Sequence, residues 1–369
     1  MLIRCFVVAF VVSQGLAFGQ TSAPTPVRQK ILNPWATVAQ PSVPADPSEI
    51  ALNAEPVQGV EQRAAAIKLL SNAQFLSNVR RGPYDLKTQF TSSEGTWQIE
   101  DSSPGRNIYR WTVQGPSYSA VNLFLDQVLY SNQSSNIPLR VAQVHSAIFA
   151  HFPMYGPRAS LRIASGDLNG VAVKCVLVSH MVEGPAASGP RRWEEYETCV
   201  DPQTGLLASY SPVPGFYVLY DYTNAHHLGN ITFPGKFTIT EARQTVVEAQ
   251  VVSLSEAANA AGASIYTPTG LTALGVGFPL TPPSRMQSIE FPGEPINGAT
   301  TGQFVVVRGL VAPDGGVTNA EVLASSNPGL NQKALDRAGQ RKWMRQESDQ
   351  NGATPQSSEA FFLTLFLTN

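Results

Sequence analysis

Val171-Ala172-Val173-Lys174-Cys175-Val176-Leu177-Val178 and Trp193-Glu194-Glu195-Tyr196-Glu197-Thr198-Cys199-Val200 are separated by Gly184-Pro185-Ala186-Ala187-Ser188-Gly189-Pro190. Both outer runs are rich in β-branched and aromatic residues, and the Gly/Pro cluster between them is a turn signal. Ala187 is the midpoint between the two cysteines. If the runs pair as an antiparallel hairpin, Cys175 and Cys199 stand directly opposite one another and a cross-strand disulfide follows. The alternative is two buried free thiols; export favours the bridge, because disulfides persist in oxidising compartments. There is no CxxC pair of the kind that serves redox or zinc chemistry. Glu194, Glu195 and Glu197 read as the solvated side of the hairpin.

Downstream of this hairpin, β runs continue at Gly205 to Ser211, Gly215 to Tyr222, Lys236 to Thr240 and Ala242 to Leu254. Upstream, Tyr84 to Thr91, Gly95 to Glu100, Asn107 to Gln114 and Tyr118 to Tyr130 alternate with Gly, Ser and Pro punctuation. Two helices interrupt them. Glu61 to Val79 places Ala65, Leu69, Ala73 and Leu76 near one face with Leu70 beside them, and Leu139 to Phe152 places Val141, Val144, Ile148 and Phe152 at spacings of three and four, with Pro138 at its start. The stretch is therefore α+β and dominated by antiparallel meander.

The ends of the chain differ in character. Met1-Leu2-Ile3-Arg4 opens with one positive charge, an apolar run follows from Cys5 to Phe18, and Ala17 and Gly19 fit a signal-peptidase site, so residues 1–19 read as a signal peptide and Gln20 as the mature start. Left uncleaved, the segment would be an inner-membrane anchor. Residues 20–60 hold seven prolines between Gln20 and Gly59 with few charges and no period, and read as a disordered linker. A second low-charge stretch, 256–288, reads as a linker whose one ordered piece lies near Ile265. The first large domain is then 61–255.

The last unit, 289–369, has the order ββαβ. Gly302 to Ala312 and Val317 to Ser326 are strands joined by Pro313-Asp314-Gly315-Gly316, a hairpin turn in which glycine supplies positive φ. A helix runs from Asn327-Pro328 to Trp343 with Leu330, Ala334, Leu335 and Ala338 inward, and Phe361 to Leu367 is the final strand.

Composition limits what such a chain does. Of 369 residues, 14 % are charged, against roughly 25 % in an ordinary soluble domain, which suits an exported protein. A formal charge of −2 carries no footprint for nucleic acid, and 43 % hydrophobic residues exclude wholesale disorder. No apolar run reaches the roughly 18–20 residues of a spanning helix. GxSxG, HExxH, Walker and dinucleotide fingerprints do not occur. His226-His227, adjacent on a strand, point to opposite faces, and His145 and His151 share no helix face. No catalytic residue, metal ligand or cofactor is assigned.

Gly302, Asp314, Gly315, Leu330, Ala334, Leu335 and Trp343, in this order and spacing, resemble the C-terminal domain of TonB-family proteins. The chain departs from that pattern at the second turn glycine, Gly316, in Met344-Arg345-Gln346-Glu347 after Trp343, and in its cleavable N-terminus. The resemblance implies that the last strand, Ala360-Phe361-Phe362-Leu363-Thr364-Leu365-Phe366-Leu367, lies at a sheet edge. There it would accept a periplasmic peptide of an outer-membrane transporter, or another envelope protein, by strand addition. Both faces of that strand are apolar, so completion of a core or pairing into a homodimer is the competing reading.

The upstream domain resembles the lipoprotein-carrier fold through its initial helix, its run of paired strands, and Glu197-Thr198-Cys199-Val200-Asp201-Pro202-Gln203-Thr204-Gly205-Leu206. This resemblance implies a large antiparallel open half-barrel with two helices and a concave interior for a lipid or other amphiphile. Phe90, Trp97, Trp111, Phe124 and Trp193 would line that cavity if they are not plain core. Two functions follow as expectations: an exported periplasmic docking protein in TonB-linked transport, and a soluble carrier.

Overall fold

The structure is a computed structural model that describes residues 49–105, 107–133, 137–149, 152–153, 155–179, 188–189, 191, 195–276, 285–291, 303–312, 314–325, 327–340 and 358–366. Most of the described chain forms one open antiparallel sheet. Its strands are β1 Glu55–Pro56, β2 Tyr84–Ser92, β3 Gly95–Gly105, β4 Ile108–Gln114, β5 Ser119–Leu125, β6 Val128–Ser131, β7 Ser160–Leu168, β8 Val171–Ser179, β9 Tyr196–Val200, β10 Leu207–Val213 and β11 Phe216–Asp221. After a separate hairpin, β12 His226–Leu228 and β13 Ile231–Phe233, come β14 Lys236–Glu241, β15 Gln244–Ser255 and β16 Thr272–Val276. The sheet order is β1-β7-β8-β9-β10-β11-β14-β15-β2-β3-β4-β5-β6-β16, so two meanders join where β15 pairs with β2, and the sheet does not close. Asp126 and Gln127, both at positive φ (52° and 66°), divide the run Tyr118 to Tyr130 into β5 and β6.

Alternation explains how strands in the middle of this sheet are buried twice. In β8, Val173, Cys175 and Leu177 face one apolar cluster, whereas Val176 and Val178 face another with Leu161, Ala66 and Leu70. Helix α1, Gly59–Ser77, buries Ala66, Leu70, Ala73 and Ser77, of which Ala66 and Leu70 join the second cluster; Leu70 and Ala73 match the expected side, and Ala66 takes the place of Ala65. Arg63 fixes it by donating to the carbonyls of Gly156 and Ala159, both at 2.8 Å. Helix α2, Leu139–Ile148, buries Val141, Val144 and Ile148 against the main core.

The segments read as linkers contribute ordered pieces. Residues 49–53 form a short 3-10 helix and β1 pairs with β7, with Ala51 and Ala54 buried. Ser264–Tyr266 is a 3-10 turn, and β16 extends the sheet beside β6.

The C-terminal sheet has four strands: β17 Arg285–Phe291, β18 Gln303–Val311, β19 Val317–Ser325 and β20 Ser358–Phe366, in the order β17-β20-β18-β19. Helix α3, Asn331–Gln340, packs on β18 and β19. β17 adds a strand to the expected ββαβ unit by lying parallel to β20. This corrects the reading of Ala360, Phe361, Phe362, Leu363, Thr364, Leu365 and Phe366 as an edge. They are hydrogen-bonded between β17 on one side and β18 on the other, so their backbone groups are already used within the sheet. Leu367 lies outside the described residues.

Candidate functional site

β18 holds the C-terminal sheet between two layers. Val305 and Val307 point to α3, where they meet Leu330, Ala334 and Ala338, with Leu335 partly buried beside them. The intervening Val306 points the other way, into the main core of the large sheet, and Leu323 of β19 joins it there. Asp314 turns the β18–β19 hairpin by accepting from the N–H of Gly316 at 3.0 Å, and Gly315 takes φ 82°. Gly302 and Trp343, expected to belong to the same unit, lie outside the described residues.

An ionic node closes the junction. Arg308, 1 % exposed, lies 3.3 Å from Glu241 at the end of β14 and pairs with Glu321 of β19 at 2.5 Å. Glu241 also receives Arg140 at 2.7 Å and the amide of Gln143 at 2.6 Å, both from α2. One carboxylate thus joins α2, the large sheet and the C-terminal sheet. Gly215, at φ 86° in the β10–β11 turn, sits so close to Leu323 that a Cβ would strike its carbonyl. Along β19 the contact with the large sheet is therefore at the Leu323 end. No described strand pairs with the outer side of β19, and Thr318, Asn319 and Glu321 there are exposed.

Of the five aromatic residues expected around a cavity, the four that are described, Phe90, Trp97, Trp111 and Phe124, are buried. Phe90 and Trp97 are opposite each other on β2 and β3 and stack at 5.9 Å with rings 3° from parallel. Trp111 lies 4.7 Å from His145, Phe124 is buried beside Tyr109, and Trp193 is outside the described residues. The main core that holds Phe90, Trp97 and Trp111 also takes in Val144 and Ile148 of α2, Ile231 and Phe233 of β13, and Val306 and Leu323 of the C-terminal sheet. These side chains therefore share one apolar core with α2, the small hairpin and the second sheet.

Cys175 and Cys199 are directly paired across β8 and β9 and are joined by a disulfide, with Cα atoms 3.9 Å apart. Glu197 and the two sulfurs lie close together, but the sulfurs are bonded to each other and offer no thiolate to a metal. Beside them the solvated reading of the hairpin is corrected: Glu195 and Glu197 are fully buried. Arg162 forms two 2.7 Å bonds to Glu195 and donates to the carbonyls of Ala54 and Gly189. Arg191 reaches Glu197 at 3.3 Å, Ser211 at 2.6 Å and the Tyr217 hydroxyl at 3.1 Å. Glu194 lies outside the described residues.

His145 meets Asp101 at 2.6 Å, tying α2 to β3. Arg80 stacks over Phe149 at 4.6 Å and over Tyr109 at 5.5 Å, and burial lowers its pKa. Burial, followed by the charge of Asp101, pushes the Tyr84 phenol well above its ordinary value. His226 is bonded through Nε2 to the carbonyl of Val251 at 3.0 Å, while His227 lies 3.3 Å from the Thr232 hydroxyl, so the pair does not share a site.

No protein-family model matches the chain, and no match is found among curated proteins. Solved structures similar to it include a DUF1329 family protein from Desulfovibrio piger, at 9 % identity over 59 % of this chain and 100 % of that one, with a TM-score of 0.34. MucB is similar at 12 % identity over 58 % of this chain and 66 % of its own, with a TM-score of 0.27. The MucA/MucB complex of Pseudomonas aeruginosa is similar at 15 % identity over 73 % and 97 %, with a TM-score of 0.28. At these values the likeness assigns neither an activity nor a partner.

The buried ion pairs had one legible signal. Glu195, Glu197 and Cys199 are spaced by two, so a strand that buries Cys199 carries both carboxylates on the same face. Arg162 and Arg191, which neutralise them, come from β7 and from the segment before β9, and no local pattern pairs residues so placed. Among the described residues no helix is long and apolar enough to cross a membrane.

Proposed function

We propose that the chain is an exported protein of the cell envelope that works by binding, with its C-terminal sheet as the docking module. Its occupant is an extended periplasmic segment of an envelope protein, first among them an outer-membrane transporter, added as a further strand along β19. The observation that carries this reading is the outer side of β19: nine residues, Val317–Ser325, with a strand on one side only among the described residues and exposed side chains at Thr318, Asn319 and Glu321. A strand edge recognises extended peptide through its own N–H and C=O groups, and alternate side chains select the sequence. Gly215 and Leu323 back this edge at one end, leaving 317–321 as the half best placed to receive a partner. The buried disulfide supports export, since such bridges last in oxidising compartments.

The experiment is hydrogen exchange of the full chain with and without a synthetic peptide covering a transporter's periplasmic N-terminal segment. Slowed exchange in 317–321 on adding peptide supports strand addition at β19. Binding with protection confined to other strands, or no binding while the chain self-associates through β19, overturns it.

A further inference from the structure

Among the described residues, the face of the sheet that carries the disulfide is covered over only part of its length. Ala51 and Ala54, with Ile50 beside them, lie on Ala164, Leu177 and the cysteine pair. Ile50 fills the space over Gly166, where an added Cβ would come within 2.7 Å of it. The same apolar cluster runs on to Leu168, Ala208 and Leu219. At that end the surface opens into a cleft of about 550 Å³ whose floor is Leu168, Leu206, Ala208 and Leu219.

The meander explains the position of this cleft. The end of β7, the start of β8, the β9–β10 turn and the end of β11 all come to the same rim of an antiparallel sheet, and each lends residues to the wall. Two carboxylates stand there, Asp201 from the turn and Asp221 from β11, and none of the lining residues is basic. Asp201 accepts from the N–H of Gln203 at 2.8 Å and the hydroxyl of Thr204 at 2.6 Å, and Asp221 accepts from the N–H of Thr223 at 2.8 Å. For Asp201, partial burial opposes ionisation but the bonds from Thr204 and Gln203 outweigh it, and its pKa is lowered. For Asp221 the bonds from Thr223 do the same, helped by Lys236 across on β14. The Tyr222 hydroxyl is engaged with the carbonyl of Leu207 at 3.0 Å and stays neutral.

We infer that this cleft binds a small organic cation with an apolar body, an alkyl- or arylammonium, whose ammonium group sits between Asp201 and Asp221 and whose hydrocarbon lies on Leu168, Ala208 and Leu219. A volume of about 550 Å³ is in the range of small-molecule sites, and an apolar floor with a few placed polar groups is their usual composition. Charge complementarity selects the occupant: an ammonium group gains an attraction to two ionised carboxylates that a neutral ligand lacks, and an anion is repelled. The inference does not depend on docking at β19.

The test is calorimetric titration of the full chain with hexylammonium chloride, and with 1-hexanol as its neutral twin. Hexylammonium binding about tenfold tighter than hexanol is expected, the factor set by one charge-assisted contact in a partly solvated site. Asp221→Asn keeps an acceptor for the Thr223 N–H but removes the charge, and should erase most of that advantage. Ala208→Phe fills the floor and should abolish binding of both probes; its melting curve shows whether it has folded, and if it has not, the asparagine variant and the hexanol comparison decide. Equal affinity for the two probes, no binding of hexylammonium, or binding unchanged in the folded variants overturns the inference.

Discussion

Arg162 and Glu195 form a bidentate pair with neither side chain exposed, and the same guanidinium holds the carbonyls of Ala54 and Gly189. Such a pair gains little over an apolar core of the same shape, because desolvation offsets the Coulomb attraction, but breaking it from one side leaves a bare buried charge. Arg162→Met is therefore expected to lower unfolding free energy by about 3–5 kcal/mol, read from urea denaturation of the full chain. The double variant Arg162→Met with Glu195→Leu removes the stranded carboxylate as well and should recover much of that loss. If the double variant is as unstable as the sum of its parts, the carbonyls of Ala54 and Gly189, more than the carboxylate, are what Arg162 serves.

At the scale of elements, the β10–β11 turn and β19 approach each other closely between the two sheets. Gly215 needs its positive φ for the turn and its missing side chain for the approach of the Leu323 carbonyl. Gly215→Ala incurs both penalties, and a loss of about 1–3 kcal/mol is expected, together with faster proteolysis of the C-terminal sheet while the large sheet stays protected. Uniform loss of protection would instead place the strain within the β10–β11 turn. How far these elements were legible follows from distance along the chain. The cysteine hairpin, α2 and the β18–β19 turn are local, so spacing and turn residues determine them. The pairing of β17 with β20 is parallel, joins residues far apart, and involves no turn; nothing near Arg285 announces a strand partner at Ala360. The burial of Glu195 and Glu197 was hidden for a related reason, because their cations are delivered by other elements. Phe90 and Trp97 were legible as apolar strand residues, but whether such rings line a cavity or fill it depends on what lies over the sheet. Here α2, β13, Val306 and Leu323 lie over it.

At the scale of the molecule, the two sheets share a core. Among the described residues, Val305, Val307, Leu330, Ala334 and Ala338 form the C-terminal sheet's own cluster, while Val306 and Leu323 are buried in the larger core and Arg308 is neutralised partly by Glu241. Burial of Val306, Leu323 and Arg308 against the large sheet ties the stability of the C-terminal sheet to the face it shares. The described sheets are thus expected to unfold together in one transition, although the composition divides the chain at 256–288. Differential scanning calorimetry is the check: one peak with equal calorimetric and van't Hoff enthalpies is the expected result. Two separated peaks would mean that the α3 side alone sustains the C-terminal sheet and that the Glu241 node is a contact between independent domains. Glu241→Ala sharpens the test, since it takes a carboxylate partner from Arg308 and Arg140 together and removes the group that joins the layers. With a shared core the single peak moves down by several degrees and stays single, whereas independent domains would leave the midpoint of the C-terminal sheet where it was.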